Sequence, residues 1–141
     1  METLQNKIDK VLEQGVAPTV ALVRIGENEE SKSFEARVQE AGNAFAVCIE
    51  KFIFQDSADE TDVLDVLEVI NDDPMLHALM ILRPLPENFN ERRIRSMLNP
   101  AKDIEGLEWG SLASADDETM QKFLEAVADA AAAQLREKEN A

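Results

Sequence analysis

The chain has one cysteine, one histidine, about half as many cations as anions and no long apolar run, and each shortage excludes something. With Cys48 alone, no disulfide can form within the 141 residues. The apolar neighbours in "AVCIEKFIF" predict a buried, inert thiol there. The only histidine, His77, has no cysteine or serine motif about it, so neither a nucleophilic site nor a metal site is expected. Fourteen Lys and Arg face 29 Asp and Glu, a formal charge of −15. That balance repels phosphate backbones and anionic lipid surfaces, which removes nucleic acid and membranes from the expected partners. The acidity does not spell calcium, because "SADDETM" lacks the ordered D-x-D-x-D-G loop and its distal glutamate. No segment reaches membrane-spanning length and "METLQNKIDK" has no apolar leader core, so a cytoplasmic location is expected. After Gly106 there is no Gly-x-Gly-x-x-Gly turn to cradle a pyrophosphate, so no nicotinamide or other cofactor is expected.

What is present reads as alternating helix and strand. A chain of this length buries roughly two-thirds of its unfolded surface as one domain. Leu4, Ile8, Val11 and Leu12 recur at helical spacing, and Gly15 with Pro18 separates them from the apolar run "TVALVRIG". A second helix is predicted from about Glu30 to Ala46, leading into "VCIEKFIF". Ser57 with Glu60 reads as a capping box ahead of Val63, Leu64, Val66, Leu67 and Ile70. "HALMIL" is a third strand, ended by Pro84 and Pro86, neither of which can donate to a sheet ladder. Asn90 caps a short helix carrying Ile94, Met97 and Leu98, and Met120, Phe123, Leu124, Val127 and Leu135 form a final stripe. Strands separated by helices of this length run parallel. The expected fold is therefore α/β: a small parallel sheet of three or four strands flanked by helices, with the last helix packed on the body. Ligands of such sheets bind outside the carboxyl ends of the strands, here "RIGENEESKSF", "IFQDS" and "LRPLPENF".

Two of those segments carry a resemblance. "LRPLPENFNERRIRSMLNPAKDIEGL" resembles the strand end and loop of the methylenetetrahydrofolate dehydrogenase/cyclohydrolase family, where Gln-Leu-Pro-Leu-Pro precedes a short helix and Pro-x-Lys-Asp-Val-Asp-Gly. "PTVALVRIGENEESKSFEARVQEAG" is similar to the family's first strand, its Val-Gly loop and a helix beginning Ser-x-x-Tyr-x-x-x-Lys. The resemblance implies a folate-binding α/β domain over residues 1–113, with residues 114–141 supplying a C-terminal helix on the same domain. Full members add a Rossmann domain for NAD(P), whose phosphate loop has no counterpart here.

Carried over position by position, the likeness weakens at the chemistry. The family's ring-stacking tyrosine falls on Phe34 and its proton-transferring lysine on Val38. The glutamine that supports this lysine falls on Leu82, with Arg83 where an apolar residue is usual. Asp103 retains the first aspartate of the last motif, and Glu105 replaces the second, which bonds the pterin. Valine has no ionisable group and cannot exchange the proton that interconverting methenyl- and formyl-tetrahydrofolate requires. Phe34, Arg83, Pro84, Leu85, Pro86, Asp103 and Glu105 remain the candidates for holding a ligand. Arg83 could meet an anion such as a glutamate tail, though an ion pair with one of the 29 carboxylates is its simpler role. Asp103 could equally cap its own loop, and Trp109 is an amphipathic edge residue. The expectation is a catalytically inactive relative that acts through an unknown protein partner or as a regulatory remnant. The alternatives are a non-catalytic binder of a folate or pterin-like ligand, and a residual cyclohydrolase without dehydrogenase activity.

Overall fold

The computed structural model describes residues 2–104 and 116–139. Helix α1 spans Leu4–Glu13 and opens on Thr3, whose hydroxyl accepts the Asn6 N–H at 3.1 Å. Strand β1, Thr19–Ile25, is buried at every residue. Helix α2 covers Glu29–Phe45, with the Asn28 side chain accepting from Glu30 and Ser31. Strand β2, Cys48–Phe54, leads to α3, Glu60–Asp72. Strand β3, Ala78–Ile81, leads to the short α4, Glu91–Ser96, and α5 spans Asp117–Glu139.

The three strands form one sheet in the order β2-β1-β3, and both pairings with β1 are parallel. Period-two alternation then sends alternate residues to two separate cores. Val20, Leu22, Ala78, Met80 and Leu82 face α1, α2 and α5, where they meet Ile8, Phe34, Val38, Phe123 and Leu124. Ala21, Val23, Ile25, Leu79 and Ile81 face α3 and α4, against Val63, Leu67, Ile70 and Ile94. A strand covered on both faces reads as a continuous apolar run, which is why "TVALVRIG" shows no polar alternation. Each large apolar side chain so buried is worth about 1.5–3 kcal/mol before entropy is counted. The final helix does pack on the body: Met120, Phe123, Leu124, Val127 and Ala131 are all buried.

Three details depart from the sequence reading. Cys48 is exposed rather than buried. It opens β2, an edge strand whose residues alternate between half-buried and open, so apolar neighbours in sequence give it no cover. The Ser57 capping box does not form, because α3 starts at Glu60 behind Asp59 and has no side-chain cap bond. Ser57 instead donates to Gln55, while Glu60 reaches across to accept from Asn90 N–H (2.6 Å) and Arg93 (3.2 Å). Leu12 lies at the rim of the α1 stripe and is 38% exposed. A fourth strand amounts to a single parallel bridge, Leu79 with Asp103. The expected boundary at residues 113/114 falls outside the described residues.

Candidate functional site

In the order β2-β1-β3 the chain leaves β1 toward one side, by way of α2, and returns by α3 to the other. The carboxyl ends of β1 and β3 are therefore the point where the connections diverge, the usual crevice of an open α/β sheet. Three loops converge there. Gly26 has φ +91°, and a Cβ on it would stand 3.5 Å from Asp56 Cβ and 3.9 Å from Pro86 Cγ. The left-handed φ favours glycine, while those neighbours stand at ordinary van der Waals distance. The Ser31 hydroxyl donates to the Arg83 carbonyl at 2.8 Å, tying the start of α2 to the cis Arg83-Pro84 bond. Leu85 packs half-buried against the α3-side core.

Phe34, Val38 and Leu82 come together under α5. They are 2%, 0% and 1% exposed and share one apolar cluster with Met120, Phe123 and Leu124. Phe34 meets Phe123 edge to face, with ring centroids 5.7 Å apart and planes at 89°. That geometry is the favoured one for two aromatic quadrupoles. A flat ligand could stack on Phe34 only after α5 side chains had moved aside.

The other candidates stand around the rim. Arg83 is exposed and pairs with Glu91, Nε to Oε1 at 2.9 Å, so the ion pair expected as its simpler role is present. Pro84 is exposed, Pro86 half-buried. Asp103 continues the sheet through its backbone, bridging Leu79 and donating its N–H to the Asn99 carbonyl at 3.0 Å. Glu105, Gly106 and Trp109 lie outside the described residues.

Sequence reasoning missed a buried ion pair beside this cluster. Arg24 follows Val20 and Leu22 on the α2 and α5 face of β1 and is 6% exposed; Glu35, next to Phe34, is 8% exposed. The Arg24 Nη1 donates to the Gly26 carbonyl at 2.5 Å, and Nε stands 3.6 Å from Glu35 Oε1. At that distance the two atoms attract without a hydrogen bond, and neither has a hydrogen-bond partner among the described residues. The signal was visible as the one charge in "TVALVRIG". A guanidinium stays protonated, so Arg24 can hold an anion or a turn but cannot exchange a proton.

Two further buried polar groups sit at the opposite, amino end of the sheet. Lys102, of the Pro-x-Lys-Asp motif, is 5% exposed and donates to the carbonyls of Ile70 (2.8 Å) and Asp73 (2.5 Å). It thus caps α3, satisfying carbonyls that the helix end leaves over. Burial pulls its pKa below the usual lysine range, opposed by Asp73 and Asp72. His77, 3% exposed, accepts the Thr19 N–H on Nδ1 at 3.0 Å, and burial lowers its pKa, with Lys102 adding to the effect and Asp73 opposing it. Among the described residues, no group of His, Cys, Asp and Glu could hold a metal ion, and no helix is long and apolar enough to cross a membrane.

Comparison with known proteins agrees with this arrangement. The bifunctional protein FolD of Pelotomaculum thermopropionicum is 27% identical over 106 residues, which is 75% of this chain and 37% of that protein. FolD of Bacillus subtilis is 27% identical over 105 residues, 74% of this chain and 37% of that protein. The chain therefore spans little more than a third of the length of these curated relatives. Among solved structures, the FolD enzyme of Campylobacter jejuni superposes with a TM-score of 0.70 at 17% identity, over 78% of this chain and 38% of its own. A 5,10-methylenetetrahydrofolate dehydrogenase from the silkworm, Bombyx mori, gives 0.68 at 25% identity, over 73% of this chain and 36% of its own. The family description "Tetrahydrofolate dehydrogenase/cyclohydrolase, catalytic domain" matches residues 1–105, and the chain belongs to that family through this domain.

Proposed function

We propose that this chain is a catalytically silent member of the family, acting by engaging a protein partner or as a regulatory remnant rather than by processing folates. The observation that supports this reading is the closure of Phe34, Val38 and Leu82 into one apolar cluster beneath Phe123. Cyclohydrolase chemistry needs a group that takes up and returns a proton where the substrate sits. Val38 has none, and Lys102 is held on α3 at the far end of the sheet. Without such a group about 10²–10⁴ in rate is forfeited.

The test is hydrolysis of methenyltetrahydrofolate by the purified chain, followed through loss of the methenyl chromophore. The expected rate is that of buffer alone, and turnover well above it would overturn the proposal in favour of a residual cyclohydrolase. The second reading, a non-catalytic binder of a folate or pterin-like ring, draws on the exposed Arg83 and Pro84 at the mouth of the crevice. It requires α5 to move from Phe34. Titration with folate derivatives, read by Trp109 fluorescence, separates the two: a saturable change supports the binder, and a flat response supports the silent domain.

A further inference from the structure

At the amino end of the sheet, away from the crevice, lies a half-open cavity of about 400 Å³. It is bounded by Val16 before β1, Pro74 and Met75 before β3, His77 itself, and Leu135 and Lys138 on the last turns of α5. The volume lies in the ordinary range for small-molecule pockets. Its walls are mostly apolar, and Met75, 65% exposed at the rim, is a side chain that adapts readily to a ligand's outline.

Two polar side chains that line this cavity, His77 and Gln134, are fixed by hydrogen bonds. The His77 backbone N–H donates to the Thr19 carbonyl at 2.9 Å, and its own carbonyl accepts from Gln134 Nε2 at 2.8 Å. Because Nδ1 accepts the Thr19 N–H, the neutral ring carries its proton on Nε2. Nε2 has no hydrogen-bond partner among the described residues, and His77 lines the cavity. The ring is thus held by its neighbours with a single donor to spare. At the rim Lys138 is offset by the adjacent Glu137, which also lines the cavity, so the site has no net charge to offer an ion.

We propose that this cavity is a binding site for a small uncharged molecule with an apolar body and one carbonyl acceptor, to which the His77 Nε2–H donates. The apolar walls supply affinity and the imidazole fixes orientation. Burial keeps His77 uncharged near neutral pH, so the donor is present without an ammonium-like charge that would need its own partner. The proposal is independent of whether the folate crevice is silent, since the two sites occupy opposite ends of the strands.

The probe is acetophenone, titrated into uniformly ¹⁵N-labelled protein. Saturable shifts are expected at the Thr19 amide and the His77 ring nitrogens. Ethylbenzene, of similar shape but without an acceptor, should bind about tenfold more weakly, the worth of one net hydrogen bond. Leu135→Trp should fill the cavity and abolish the shifts while circular dichroism stays unchanged. No movement of Thr19 and His77 up to the solubility limit of acetophenone would overturn the proposal, as would equal binding of ethylbenzene or undiminished shifts in a folded Leu135→Trp. The wild-type titration with the two probes decides the matter even where the variant does not fold.

Discussion

Val38→Lys puts the family's amine back into the cluster that α5 covers, and its cost measures how closed that cluster is. Val38 is 0% exposed among Phe34, Leu82 and Phe123. The carboxylate one turn back on α2, Glu35, already faces Arg24 at 3.6 Å. A fully buried lysine loses about 3–5 pKa units, and because only the part of that shift between about pH 7 and the unfolded value near 10.4 counts at neutral pH, the cost there is about 4–5 kcal/mol. Against a domain stability of about 5–15 kcal/mol, the variant should lose from about a third to all of it. Its pH dependence identifies the cause. The folded pKa of such a lysine lies below the unfolded value near 10.4, so the penalty is full only below the folded pKa and fades as pH rises from there toward about 10.4. Urea unfolding followed by circular dichroism, at about pH 7 and about pH 10, reads both numbers. Stability within about 0.5 kcal/mol of wild type at neutral pH would mean that the amine reaches water, and the closed-site reasoning would be wrong. Adding Leu82→Gln supplies an acceptor for the ammonium and should recover about 1.5–3 kcal/mol, the value of a hydrogen bond to a charged group.

Three further outcomes are expected. Gly42→Ala places a Cβ 2.7 Å from the Val47 carbonyl oxygen and 3.0 Å from Ile49 Cγ1; the helix gains about 1 kcal/mol from alanine, the overlap costs about 1–3 kcal/mol, and urea titration should show a net loss. Phe123→Ala removes the ring that meets Phe34 and should cost about 3–5 kcal/mol, measured the same way. Acidification should destabilise the chain through His77: its folded pKa lies below the unfolded value near 6.5, so its stabilisation is full above that value and is lost as pH falls through the folded one. His77→Gln, which keeps an acceptor for Thr19, should flatten the stability profile below about pH 6.5.

The fold was legible because its signals are local and its connections are forced. Apolar runs separated by amphipathic helices admit a parallel sheet and little else, and the Asn90 cap is where the spacing put it, accepting the Arg93 N–H at 3.1 Å. What could not be read is whatever depends on position within the sheet. Cys48 shares its apolar neighbours with residues of a central strand, yet β2 has a neighbour on one side only. The Ser57 and Glu60 pattern fits a capping box, but Glu60 is drawn away by Asn90 and Arg93, thirty residues distant in sequence. Lys102 belongs to a motif that suggested ligand binding, and only the contact of its amine with the Ile70 and Asp73 carbonyls shows that it anchors a helix.

The crevice was legible by position and not by cover. Spacing from Gly26 located Phe34 and Val38 on one helix and spacing from Pro84-Leu85-Pro86 located Leu82 at the end of a strand, and the structure gathers the three into one cluster. That Phe123 would close over them was out of reach, because an amphipathic stripe on α5 does not say what it covers. The closure gives the three residues a common physical explanation. A tyrosine hydroxyl at 34, an ammonium at 38 or a carboxamide at 82 would each enter an apolar interior at about 1–3 kcal/mol or more per unpaired group. Phenylalanine, valine and leucine carry no such penalty, and each is compatible with the others only while α5 stays down. The same reasoning makes Arg24 and Glu35 the exception at this site: buried, 3.6 Å apart and short of a hydrogen bond to each other. Removing one of such a pair strands the other, a cost of about 3–5 kcal/mol, whereas replacing both with apolar residues is often neutral or stabilising. Arg24→Met alone should therefore destabilise the chain more than Arg24→Met with Glu35→Leu, measured by urea unfolding. Equal losses would show that the Gly26 carbonyl or Glu27, whose Oε1 stands 3.6 Å from Nη1, and not Glu35, is what Arg24 is there to hold.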